Sequence, residues 1–177
     1  MTNTNDEYSN GKTAAKVLYE FNMFNFLYER LRSEFMETAT FLPGDITYLG
    51  TGRPMKCEDR LTFAILESFL LHTRVLHDFF FKSRNSNDPK KNDDSVASDF
   101  VPDWSSVRPQ KGEYLGNKDR FERLNKALAH LTIRRVEYDQ LQKAWNVDAI
   151  NDEVGNLIEA FQLNLPPERK AWFDAVE

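Results

Sequence analysis

Cysteine is almost missing from this chain. Cys57 is the only one in 177 residues, which excludes an intramolecular disulfide and a thiolate metal cluster. A chain without disulfides suits a reducing compartment, and a cytoplasmic location is the expectation. Long apolar runs are also lacking. None reaches the roughly 18 residues that span a bilayer, and Met1–Lys12 has no apolar signal core; a soluble protein with no membrane contact is expected. Basic residues are outnumbered, 23 Lys and Arg against 28 Asp and Glu, for a net charge of −5. That balance excludes a surface built wholly for nucleic acid, though not a local basic patch.

What the chain has in quantity is phenylalanine, with 14 in a composition that is 41% hydrophobic. That is enough for a core without staples. Residues 1–10 are polar and read as a disordered tail, and 11–177 as a single helical-bundle domain. From Lys12 to Glu37 the residues Val17, Phe21, Phe24, Tyr28, Leu31 and Phe35 recur in steps of four and three, an amphipathic helix. Five Gly and Pro residues between Thr40 and Pro54 mark a connection. Leu61–Phe81 is apolar almost all the way round, the pattern of a central helix enclosed on every side.

Lys82–Ser95 has no apolar residue and forms a long loop between the second and third helices. Val96, Ala97, Phe100, Val101 and Trp104 can then dock. Asn117 is placed to cap a helix over Lys118–Arg135. Another helix runs from about Asn146 to Leu165 with Ile150, Val154, Leu157, Ile158 and Phe161 inward, and Pro166 opens a short C-terminal helix. There is no internal repeat and no convincing strand. The fold class is all-α, with four principal helices in a bundle.

Two sets of polar residues are candidates for chemistry. Within the apolar helix, Glu67, Arg74 and Asp78 fall in one narrow band at about 100° per residue. With His72 and Asn125 they read as a buried polar cluster that tethers helices, because enclosed charges need partners. The second set lies on Lys118–Arg135, which holds six basic and two acidic residues. Lys118, Arg120, Lys126 and Arg134 could neutralise phosphates of RNA, with Arg123 and His130 on a common face. The plainer alternative is a solvated helix paired to Asp148, Asp152 and Glu153. No residue spacing supports a metal or another cofactor.

The phrase Glu67-Ser68-Phe69-x-x-His72-x-Arg74-x-Leu76-x-Asp78-Phe79-Phe80 resembles a set of uncharacterised bacterial helical proteins. Its companions here are Ala97-Ser98-Asp99-Phe100 and Asn125-Lys126-Ala127-Leu128-Ala129-His130-Leu131-Thr132. That resemblance covers about residues 58–135 and implies no activity. A looser one is to the HEPN superfamily of helical RNA-cleaving proteins, carried by Arg123 and His130 with six residues between them. It implies a metal-independent ribonuclease of a defence or toxin–antitoxin system, homodimeric, with Arg123 and His130 acting on the scissile phosphate. Leu124 stands where that family has a polar residue. The residues themselves favour an interaction or structural module, acting with a partner protein or a second copy, and the ribonuclease is the alternative.

Overall fold

The computed structural model describes residues 4–34, 40–41, 57–83, 94–129 and 145–174. The fold is all-α. Helix α1 spans Thr4–Glu34, α2 Cys57–Phe81, α3 Trp104–Val107, α4 Lys118–Ala129, α5 Val147–Asn164 and α6 Pro167–Asp174, with a 3-10 turn at Ala97–Asp99. The four long helices expected from periodicity and the short C-terminal one are all present. The only β-structure among the described residues is an antiparallel pair, β1 (Thr40–Phe41) with β2 (Trp145–Asn146), in which Thr40 faces Asn146 and Phe41 faces Trp145. Two residues per strand leave no alternation for a sequence reading to detect.

Helix α1 begins at Thr4, inside the stretch expected to be a tail. Nothing between Thr4 and Asn10 is Pro or Gly, so a helix nucleated further on can propagate back through polar residues. Asn117 caps α4 as its position suggests: its Oδ1 accepts the N–H groups of Asp119 and Arg120 at 3.0 and 3.1 Å. Asn146 does the same for α5, accepting from Ala149 N–H at 3.0 Å. Helix α6 starts at Pro167, where the missing N–H is no loss; the Pro166 carbonyl accepts from Arg169 and Lys170.

The chain divides into two compact units. One comprises Met1–Met23, Val75–Gln110 and Val154–Glu177; the other comprises Phe24–Arg74 and Lys111–Glu153. The first is built around Phe161, which is fully buried. Rings of Phe21, Phe79, Phe80, Phe100, Trp104 and Phe173 surround it at 5.3–6.1 Å between centroids, mostly edge to face, the arrangement aromatic quadrupoles favour. The Phe80 carbonyl at the end of α2 has no helical partner to come. Trp104 Nε1 donates to it at 2.8 Å and Arg108 Nη1 at 3.2 Å, which pins the docked segment to the end of α2. Arg169 Nη1 donates to the Asp99 carbonyl at 2.9 Å, tying α6 to the same segment.

The second unit stacks Phe24 of α1 on Phe69 of α2 at 4.9 Å. Among the described residues, Leu27, Tyr28, Leu31, Leu66, Leu70, Tyr114, Leu115, Leu124, Trp145, Val147 and Ile150 are its other buried apolar side chains. Tyr28 donates to Asp148 Oδ1 at 2.8 Å, and Arg32 Nη1 donates to the Tyr28 hydroxyl at 3.4 Å. Burial first, and then the bond to Asp148, raise the Tyr28 phenol above its ordinary value of 10.0.

Candidate functional site

Helix α2 is not enclosed on every side, which corrects the expectation from its composition. Leu61 is 55% exposed, Leu71 48% and Val75 41%, with Ala64 exposed and Ser68 half-buried. Leu66, Phe69, Leu70, Thr73, Leu76 and His77 form the buried side. At about 100° per residue the uncovered residues 61, 64, 68, 71 and 75 fall within about 80° of one another. They make one stripe along the helix. A helix apolar all round gives no polar face to mark its outside, so composition alone does not reveal which stripe its neighbours leave bare.

The polar cluster is corrected with it. Glu67 is exposed, and His72, Arg74, Asp78 and Asn125 are half-buried, so water reaches the charges that were expected to be enclosed. Among the described residues of α2, the buried polar side chains are two others. Thr73 donates its hydroxyl to the Phe69 carbonyl at 2.8 Å, one turn back, a bond that removes the cost of burying it. His77 is buried beside Phe81, 4.9 Å between rings, with Nδ1 3.8 Å from Asp78 Oδ1. Both sit on the core side, which the helical wheel of a uniformly apolar segment does not single out.

The basic set is brought only partly into view. Lys118 and Arg120 are exposed on the first turn of α4. The Arg120 guanidinium lies over the Tyr114 ring at 4.3 Å, and Lys111 Nζ lies 6.0 Å from the Phe121 ring centre. Together with Gly112, Glu113, Gly116 and Asn117, Lys111 and Arg120 line an open depression of about 570 Å³. Arg123 and Lys126 lie on the helical backbone of α4, their side chains outside the described residues, and His130 and Arg134 lie wholly outside them.

The loop before α4 holds a feature the sequence reading missed. Glu153 of α5 accepts both the Tyr114 and Leu115 N–H groups, at 2.6 and 2.8 Å. The plainer alternative for the basic helix offers Glu153 as one of three acidic partners; here its carboxylate binds backbone. A Cβ on Gly112 would stand 2.1 Å from Glu153 Cδ, and one on Gly116 would stand 2.4 Å from the Gly112 carbonyl oxygen. The glycines at 112 and 116 were the available signal, since a loop that tight exposes N–H groups that require an acceptor. Tyr114 completes the clamp by accepting the Asn146 N–H at 3.1 Å.

In the first unit, α1 and α2 border an open groove of about 280 Å³ floored by Val17, Leu76 and Phe79 and rimmed by Lys16, Glu20, Asp78 and the ion pair of Lys82 with Asp94. Charge of both signs alternates around it, which gives no single ligand polarity. Among the described residues no group of three His, Cys, Asp or Glu could hold a metal ion, and no helix is long and apolar enough to cross a membrane. No family model, curated protein or solved structure matches this chain.

Proposed function

We propose that this protein is a helical interaction module, and that the stripe Leu61, Ala64, Ser68, Leu71 and Val75 on α2 is its working surface. The observation that carries this reading is the exposure of three large aliphatic side chains, Leu61, Leu71 and Val75, in line along one helix. Scattered exposed leucines need no explanation, but an aligned apolar stripe flanked by charges is what a helix offers to another helix. The single thiol fits a cytoplasmic setting.

A photo-crosslinking residue at position 71, in full-length protein inside the cells that make it, tests the reading. The expected result is a covalent adduct with protein, absent when the same residue is placed at exposed Glu159. Equal labelling from both positions contradicts the proposal.

A second reading has its own observation. Lys118 and Arg120 are exposed at the start of α4, with Arg120 stacked on Tyr114 beside the Lys111 depression. Exposed cations beside an open depression suit a phosphate backbone. On this reading the chain binds RNA, and Arg123 with His130 would cleave it in the manner the HEPN resemblance implies. Binding to single-stranded RNA at low salt should fall at least tenfold in the Lys118→Glu/Arg120→Glu variant, about 1.4 kcal/mol. His130→Ala should keep binding and lose cleavage. Wild-type protein that neither binds nor cleaves RNA at low salt removes this reading.

A further inference from the structure

Building on the interaction-module reading, we infer that the occupant of the α2 stripe is a second copy of this chain, docked antiparallel. Leu61, Ala64, Ser68, Leu71 and Val75 are spaced three, four, three and four residues apart, the seam of a two-helix coiled coil. Glu67 and Arg74 lie along one edge of that seam, one heptad apart, Glu67 exposed and Arg74 half-buried. Opposite charges at equivalent heptad positions are the complementarity that a two-fold axis can use.

In an antiparallel pair the same edge of each helix meets its own symmetry mate. Setting Ser68 of one copy against Leu71 of the other brings Glu67 opposite Arg74 of the second copy, and symmetry forms the pair twice. The same register sets Ala64 against Val75, so a small residue meets a larger one in these two central layers, and it leaves Leu61 at the outer end of the seam opposite half-buried Asp78. A parallel arrangement would set Glu67 against His72 and Arg74 against Phe79, which leaves the guanidinium with no carboxylate. Sliding the antiparallel pair by one heptad sets Glu67 against Glu67. Charge therefore selects one orientation and one register, and small residues at the centre allow close approach of the two helices.

Sedimentation equilibrium of the full chain tests this. Wild type is expected to show a concentration-dependent monomer–dimer equilibrium, and Leu71→Asp to remain monomeric over the same range. Glu67→Arg and Arg74→Glu should each weaken association about tenfold, about 1.4 kcal/mol, while Glu67→Arg/Arg74→Glu together should restore it to within about twofold. Circular dichroism checks folding, and Leu71→Ser replaces Leu71→Asp if the latter unfolds. A wild type that stays monomeric, a dimer indifferent to position 71, or a charge exchange that fails to restore association overturns the inference. If the chain is monomeric but position 71 crosslinks to a different protein, self-pairing falls and the interaction module stands. If it is monomeric and position 71 gives no specific adduct, both fall.

Discussion

Glu153 holds backbone that lies far from it in sequence. Its two oxygens hold the Tyr114 and Leu115 N–H groups, and hydrogen bonds to a charged acceptor are worth about 1.5–3 kcal/mol each. Glu153→Gln keeps one acceptor and loses the other with the charge, so a loss of about 1–3 kcal/mol in urea unfolding is expected. Gly112→Ala should cost at least as much, because the new methyl occupies the space of the carboxylate. Gly155 has nothing within 4 Å of a built Cβ, and Gly155→Ala within α5 should stabilise by up to about 1 kcal/mol. If the two glycine variants behave alike, the clamp is not as described.

Tyr28 gives a pH signature at the same scale. Its phenol is held above its ordinary value by burial and by Asp148, so the folded state favours the protonated form. Below about pH 10 both states carry the proton and this contribution is fully present. As pH rises further, the unfolded chain ionises first, and stability is lost up through the folded value. Urea midpoints measured from pH 8 to 11 should fall at the alkaline end, and Tyr28→Phe should flatten that fall. A fall of the same size in Tyr28→Phe contradicts the assignment.

At the scale of elements, packing about Phe161 decides the first unit. Phe161→Ala removes a fully buried ring that touches six others, and a loss of about 3–5 kcal/mol is expected from thermal or urea unfolding. Leu163, two residues on in the same helix, is 76% exposed, and its replacement by Ala should stay within about 0.5 kcal/mol. This contrast was legible in the sequence, because α5 alternates apolar and polar residues at helical spacing. The cap at Asn117 was legible too: a short polar side chain before a periodic stretch has one obvious use. Helix α2 was not. With Leu, Phe and Val on every side, its outward face is set by where α1 and the other elements lie, a tertiary fact that no local period encodes. The Glu153 clamp was hidden differently, since its partners lie 38 and 39 residues away and the carboxylate resembled one more surface charge.

For the molecule as a whole, an all-α chain with one cysteine and a modest negative charge gains its distinguishing feature from what its helices leave uncovered. The proposed function rests on α2 burying one side and presenting the other, and adjacent leucines allow that division to be measured. Leu70 is 3% exposed and Leu71 is 48% exposed. The most direct test is the unfolding free energy of Leu70→Asp and Leu71→Asp, at a dilution where the protein is monomeric. The account predicts that Leu71→Asp stays within about 0.5 kcal/mol of wild type, while Leu70→Asp loses more than about 3 kcal/mol or fails to fold. Equal and severe losses at both positions would contradict it, because the face assigned to a partner would then belong to the core.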